Sequence, residues 1–161
     1  MSDLKAKAAP LRRIILAIDA SEASAKAVWF VRTKFPLDRS TSKDGQVPIH
    51  VTVVHVMKRR PLAPIEFRFT APWIKSEKKV KDVARRLVRQ SAQQLIKEGF
   101  TAEHICKIGD PAEEIMKVAA KQEADLIVMG AKGLGAVARF LLGSVSTRVV
   151  QQANCTVLVV R

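Results

Sequence analysis

Short aliphatic runs alternate with helix-length stretches along the whole chain, and this alternation most narrows the folds open to it. Ile14-Ile15-Leu16-Ala17-Ile18 is apolar without interruption and ends at Asp19, the pattern of a parallel strand buried on both faces. Ile49 to Met57 is rich in β-branched residues and reads as a second strand. Further strands are predicted at Ala102–Ile108, Leu126–Met129 and Thr156–Val160. Ser21 is placed to cap a first helix carrying Ala25, Val28 and Trp29 on one face, and Phe35-Pro36 stops it. Thr41 to Gln46 is a polar loop. Lys58 to Ile74 holds Pro61, Pro64 and Pro72 without a clear period and reads as a long connection or flap, bounded at residue 78. Val80, Val83, Ala84, Leu87, Val88, Leu95 and Ile96 then share a helical face that Gly99 closes. Asp110-Pro111-Ala112-Glu113 is a helix start, with an Asp cap, a first-turn proline and a carboxylate three residues on; that helix reaches about Gln122. Val145 to Ala153 is the last helix.

Strand and helix in alternation imply an α/β domain: a doubly wound, mostly parallel sheet with helices on both faces. The 161 residues suit one such domain, 1–161, with residues 1–12 as a flexible N-terminal segment. In sheets of this kind the ligand sits beyond the carboxyl ends of the strands, where the strand order reverses. Asp19 and Gly130 both fall just past strand ends. If strands one and four are neighbours, the two line one crevice.

Gly130-Ala131-Lys132-Gly133, nine residues, then Gly143-Ser144 follow directly on the Leu126–Met129 strand and lead into the last helix. Glycine lets a backbone approach a ligand closely and adopt positive φ, and a helix N-terminus points unpaired N–H groups at an anion. Three readings stand: a nucleotide-phosphate loop, a dinucleotide fingerprint, and turn chemistry alone. Gly133-Leu134-Gly135-Ala136-Val137-Ala138 fits G-x-G-x-x-A, but that fingerprint needs an acid about twenty residues on, and no acid follows Asp125. A Walker loop is absent. Ser144 either caps the last helix or meets phosphate, and the two roles are compatible. Asp19 either caps the first helix or bonds the ligand's base or sugar. Lys132 is either a solvated loop charge or a phosphate partner.

No catalytic constellation stands beside this loop. His50 and His55 are five apart and point to opposite faces of a strand, so they cannot hold a metal together; His104 stands alone. Ser144 has neither a nearby histidine nor a G-x-S-x-G elbow. Binding with little or no turnover is expected, with ATP hydrolysis weak at most. Cys106 and Cys155 are expected as small reduced core residues. No apolar run reaches the ~18 residues of a membrane span and no signal peptide is evident, so the expected location is the cytoplasm.

The net charge is +13, and Met57 to Gln90 carries eleven Lys or Arg against three acids. Such a surface favours polyanions. The face of Lys78, Lys81, Arg85, Arg86 and Arg89 supports a second reading, a polyanion- or nucleic-acid-binding module using the helix at 75–89 with a vestigial nucleotide pocket. Phe69 and Trp73 are expected outside that helix, so stacking platforms for single strands are lacking.

The residues resemble the universal stress protein family. Ile14-Leu16-Ala17-Ile18-Asp19-Ala20-Ser21-Glu22-Ala23-Ser24 resembles its first strand and turn, and Val53-Val54-His55-Val56 its second strand. Gly109-Asp110-Pro111-Ala112-Glu113-Glu114-Ile115 resembles its third helix start. Asp125 to Gly130, the G-x-x-G-x9-G-S pattern and Cys155-Thr156-Val157-Leu158-Val159-Val160 complete a match from Arg13 to Arg161. The resemblance implies a five-stranded parallel sheet of order 3-2-1-4-5, as in the adenine nucleotide alpha hydrolase-like fold. It also implies a homodimer through Thr156–Val160, whose unpaired edge is otherwise a pairing liability. It implies a stress or energy-state sensor that binds ATP or a related adenine nucleotide. By position, Ala17, Asp19, Val56 and Met129 would meet base and ribose. Gly130, Lys132, Gly133, Gly143, Ser144, Val145 and Ser146 would hold ribose and phosphates, and magnesium, where bound, would sit on the phosphates. Ala17 departs from a proline found in some nucleotide-binding members.

Overall fold

The computed structural model describes residues 11–35, 49–59, 64–68, 70–133 and 142–161. The segment expected to be flexible (to residue 10), Pro36, the Thr41–Gln46 loop, Pro61, Phe69 and the fingerprint positions 134–138 lie outside the described residues.

Among the described residues five strands and five helices follow in order. They are β1 (Arg13–Ala17), α1 (Glu22–Lys34), β2 (His50–Met57), α2 (Ile65–Arg68), α3 (Ala71–Lys97), β3 (Thr101–Ile108), α4 (Pro111–Lys121), β4 (Leu126–Gly130), α5 (Ser144–Gln152) and β5 (Thr156–Val160). All strand pairs are parallel, in the order β3-β2-β1-β4-β5, which is the expected order. Ile14 pairs with both Val51 and Leu126, so β1 is central and the chain reverses direction across the sheet between β1 and β4.

The period-two alternation of side chains splits the core in two. Ile14, Leu16, Val51, Val53, Leu126 and Val128 face one way and meet Ala27 and Val31 of α1 and Val88, Ala92 and Leu95 of α3. Ile15, Ala17, Val54, Ile127 and Met129 face the other way and meet Ala112, Ile115 and Val118 of α4 and Val149 of α5. Both faces of the central strands are therefore covered, and the uninterrupted apolar runs follow from that. Among the described residues no helix is long and apolar enough to cross a membrane.

Three expectations about packing are corrected. First, α1 buries Ser24, Ala27 and Val31; of the expected face only Val28 packs against the core, and partly, while Ala25 is exposed and Trp29 is 55% exposed. The reason is proximity. A Cβ on Gly130 would lie 2.6 Å from the Ala23 carbonyl carbon, so α1 passes β4 closely and turns its small residues Ser24 and Ala27 to the sheet, which leaves Trp29 on the far side. Second, the connection ends sooner than expected: α2 interrupts it, and α3 starts at Ala71 with Pro72 in its first turn, where a missing N–H costs nothing. The α3 buried stripe is Ala84, Val88, Ser91, Ala92 and Leu95, while Val83 is 58% exposed and Ile96 also faces solvent. Third, Cys106 and Cys155 are free thiols as expected, but they are half-buried at the margins of the two core clusters rather than inside them; burial pushes both thiols up. Cys106 sits on β3, which is an edge strand of the sheet.

Candidate functional site

A cleft of about 1100 Å³ opens at the carboxyl ends of β1, β2 and β4, where the strand order reverses. All eleven residues singled out from the sequence line it. Its floor is apolar: Ala17 from β1, Val54 and Val56 from β2, Met129 from β4, with Pro111 and Ile115 of α4 as one wall. The glycine segment and the start of α5 complete the lining.

The α5 end is built from backbone. Gly143, not Ser144, is the N-cap, and Ser144 is the first helical residue with no side-chain cap bond. The first bond within the helix runs from Thr147 N–H to Gly143 O at 2.9 Å. The N–H groups of Ser144, Val145 and Ser146 thus open the helix without a partner among the described residues, as the first turn of any helix must. The Ser146 hydroxyl is spent: it is buried and reaches the carbonyls of Ala131 (2.8 Å) and Gly143 (3.0 Å). What Ser146 offers the cleft is its N–H. Gly143 N–H itself donates to Ala131 O at 2.7 Å, which clamps the α5 start onto the segment after β4.

The three loop glycines differ in what a side chain would meet. At Gly130 a Cβ would strike α1 backbone at 2.6–2.8 Å. At Gly133 it would strike Asp19 Oδ2 at 2.7 Å. At Gly143 it would make ordinary contacts, including one 3.6 Å from Gly133 N. None of the three has positive φ; among the described glycines only Gly99 does. Close approach, not left-handed backbone, is therefore what glycine supplies here. At Gly143 the fold itself tolerates a side chain, but that side chain would cover the Gly133 amide.

Asp19 lies between the first helix and the glycine segment. Its Oδ1 accepts from Ser21 N–H at 2.9 Å and from the Ser21 hydroxyl, while its own N–H donates to Ser24 Oγ at 2.9 Å. Ser21 caps α1 by accepting from Ser24 N–H, and its hydroxyl also reaches Lys132 O at 3.1 Å. A chain of short polar contacts thus ties the end of β1 to the loop after β4. Asp19 is the sole carboxylate lining the cleft among the described residues. His55 Nδ1 lies 2.8 Å from Ile18 O, and since a carbonyl only accepts, Nδ1 carries the proton. The ring becomes a fixed part of the wall. His50 is at the other end of β2, 3.6 Å from Glu103, so the two histidines are indeed apart.

Arg148 was not singled out as a site residue from the sequence. It projects from α5 at the cleft rim and pairs with Asp110 Oδ1 (2.9 Å) and Glu113 Oε1 (2.8 Å) at the start of α4. The bond to Glu113 and the charge of Asp110 push its guanidinium pKa up. Asp110 accepts from Glu113 N–H at 3.0 Å, which with Arg148 holds its carboxyl below the usual range. Val80 of α3, Thr147 and Gln151 also line the cleft. Their helices were legible, but which face meets the cleft depends on packing between elements far apart in sequence.

The family model described as the universal stress protein family matches residues 10–161. The chain belongs to the universal stress protein family. Universal stress protein YxiE of Bacillus subtilis is 28% identical over 156 residues, covering 92% of this chain and 98% of that protein. A Thermus aquaticus universal stress protein encoded 3′ of a sulfhydrylase gene is 57% identical over 53 residues, a stretch covering 33% of this chain and only 39% of the relative. The solved structure of MJ0577, a universal stress protein of Methanocaldococcus jannaschii, superposes with a TM-score of 0.77 at 27% identity, covering 93% of this chain and 95% of that one. Two universal stress proteins share the fold at lower identity: one solved in complex with cAMP (TM-score 0.59, 20% identical, covering 93% and 97%) and one from Arabidopsis thaliana with AMP bound (TM-score 0.58, 21% identical, covering 92% and 90%).

Proposed function

We propose that the cleft binds ATP or a related adenine nucleotide, and that the protein serves as a stress or energy-state sensor through a homodimer. One observation carries this reading: the N–H groups of the α5 first turn and the Gly133 amide border the same cleft as the apolar floor of Ala17, Val56 and Met129. A helix N-terminus favours anions, and an apolar slot favours a flat base. Phosphates then sit against Gly130, Lys132, Gly133, Gly143, Ser144, Val145 and Ser146. The base packs on Ala17, Val56 and Met129, with Asp19 reaching base or ribose. Relatives solved with AMP and with cAMP support the adenine class.

Magnesium fits this site only as a companion of the phosphates. Asp19 alone offers a carboxylate among the described lining residues, and one of its oxygens already serves Ser21. A Mg²⁺ ion would therefore take phosphate oxygens and water, as that ion prefers. The same scarcity of carboxylates leaves no second group to activate water, which supports binding with little turnover.

The dimer reading rests on β5. It is an edge strand, half-buried along Val157–Val160, with one row of backbone groups left for a second chain. Its working place in this reading is the cytoplasm. Loading of the cleft would change the partner or the conformation of the dimer. Denaturing the purified protein and identifying the released nucleotide by mass tests the adenine assignment. An adenine nucleotide is expected; a guanine nucleotide or a non-nucleotide ligand in its place overturns the assignment.

A further inference from the structure

Helix α3 is far longer than the sheet it covers. Its 27 residues span about 40 Å, against about 26 Å for the 8-residue strands beside it. Its C-terminal half lies on the sheet through Ala84, Val88, Ala92 and Leu95. Its N-terminal part does not: every residue from Ile74 to Val80 is exposed. The outward side repeats cations at helical spacing: Lys75, then Lys78 and Lys79, then Arg85 and Arg86, then Arg89, all exposed. Only Asp82 interrupts the stripe, and none of the six cations forms an ion pair with a described residue; the α3 pair in this region is Lys81 with Glu77. The stripe is about 21 Å long at 1.5 Å per residue.

We propose that this stripe is a docking surface for double-stranded DNA, held through its phosphates without regard to sequence. It is independent of the nucleotide reading. Charge complementarity selects a polyanion, since a duplex presents about twelve phosphates over 21 Å of axis. The stripe itself, Lys75 to Gln90, contains no aromatic residue; α3 holds a single aromatic, Trp73, two residues before the stripe, where a single strand would need a series of stacking platforms along it. A bilayer is disfavoured because the apolar stripe of α3 is already used against the sheet, and the exposed Ile74 and Val83 lie on opposite flanks of the basic stripe. Only the part of α3 before Val80, with Lys75, Lys78 and Lys79, stands clear of the sheet; it is a rod of about 10–12 Å, which the major groove of B-form DNA, about 12 Å wide, admits, while Arg85, Arg86 and Arg89 lie on the outer side of the packed part. A-form RNA, with its narrow major groove, does not.

Fluorescence anisotropy with a labelled DNA duplex is the test. If about four phosphates are neutralised, affinity falls about a hundredfold between about 50 and 200 mM salt. Arg85→Glu, Arg86→Glu and Arg89→Glu together should abolish binding, and the corresponding Gln triple should weaken it while keeping the helix. Lys34→Glu, Lys97→Glu and Lys121→Glu change the net charge equally from exposed positions elsewhere and should cost less than about threefold. Asp82→Asn should tighten binding, a gain that misfolding cannot imitate. The proposal fails if both Glu triples weaken binding equally, or if affinity ignores salt. It also fails if Gly133→Val with Gly143→Val removes duplex binding, which would put the phosphates in the cleft. Binding to phosphatidylserine vesicles or to duplex RNA with none to duplex DNA overturns it as well.

Discussion

Gly130 and Gly143 carry the same side chain for different reasons, and substitution separates them. Gly130 exists because α1 backbone passes where a Cβ would stand, at 2.6 Å. Gly130→Ala should therefore cost about 1–3 kcal/mol of stability through overpacking, whatever ligand is present, measured as a fall in denaturant midpoint. Gly143 has an ordinary extended backbone, φ −79° and ψ 166°, with room for a Cβ. Gly143→Val should leave Tm within about 4 °C of wild type yet weaken nucleotide binding at least tenfold, read by calorimetry. The glycine spacing was legible in the sequence, but its cause was not. Close approach to a ligand and positive φ were both expected; none of the three shows positive φ, and at Gly130 the close approach is to α1 backbone. The atom that excludes a side chain at Gly130 belongs to Ala23, more than a hundred residues earlier, and no local pattern reports such a neighbour.

At the scale of elements, the start of α4 was legible because a cap is a local device. Asp110, Pro111 and Glu113 act within one turn of each other, and the Asp110 carboxylate does accept from Glu113 N–H. Arg148 was not legible as its partner, because α5 reaches α4 only through the fold. The pair makes a pH prediction. Asp110 is held below its ordinary value of 3.8, first by the backbone bond and then by Arg148. Its contribution is present above that ordinary value and is lost as pH falls through the lower folded value. Asp110→Ala should lower stability by about 1 kcal/mol at neutral pH in urea melts. The gap to wild type should close as the medium is taken below about pH 4. The buried face of α1, and on α3 the places of Val83 and Ile96, were misjudged for a common reason, whereas Ala84, Val88 and Leu95 are buried as expected. Alanine-rich and valine-rich stretches fit several helical phases, and only the sheet's proximity decides which one is buried.

At the scale of the molecule, the five strands and their parallel sense followed from residue patterns, whereas their order followed from the family resemblance. Neighbours in a sheet are set by crossovers that no single segment encodes. The order matters, because placing β4 beside β1 brings Asp19 and the glycine segment to one cleft. It also leaves β5 at an edge. Sedimentation equilibrium should give a mass twice the 17.8 kDa of the chain at micromolar concentration. A mass of 17.8 kDa would remove the dimer from the functional proposal.

The most direct measurement is isothermal titration of ATP into the wild-type protein and into the Gly133→Val, Gly143→Val double variant, each first shown to be folded by circular dichroism. The predicted result is saturable binding of one nucleotide per chain to the wild type, and loss of at least tenfold in affinity for the variant. Folded wild-type protein that takes up no ATP, or equal affinity in both proteins, would contradict a nucleotide held by these backbone amides.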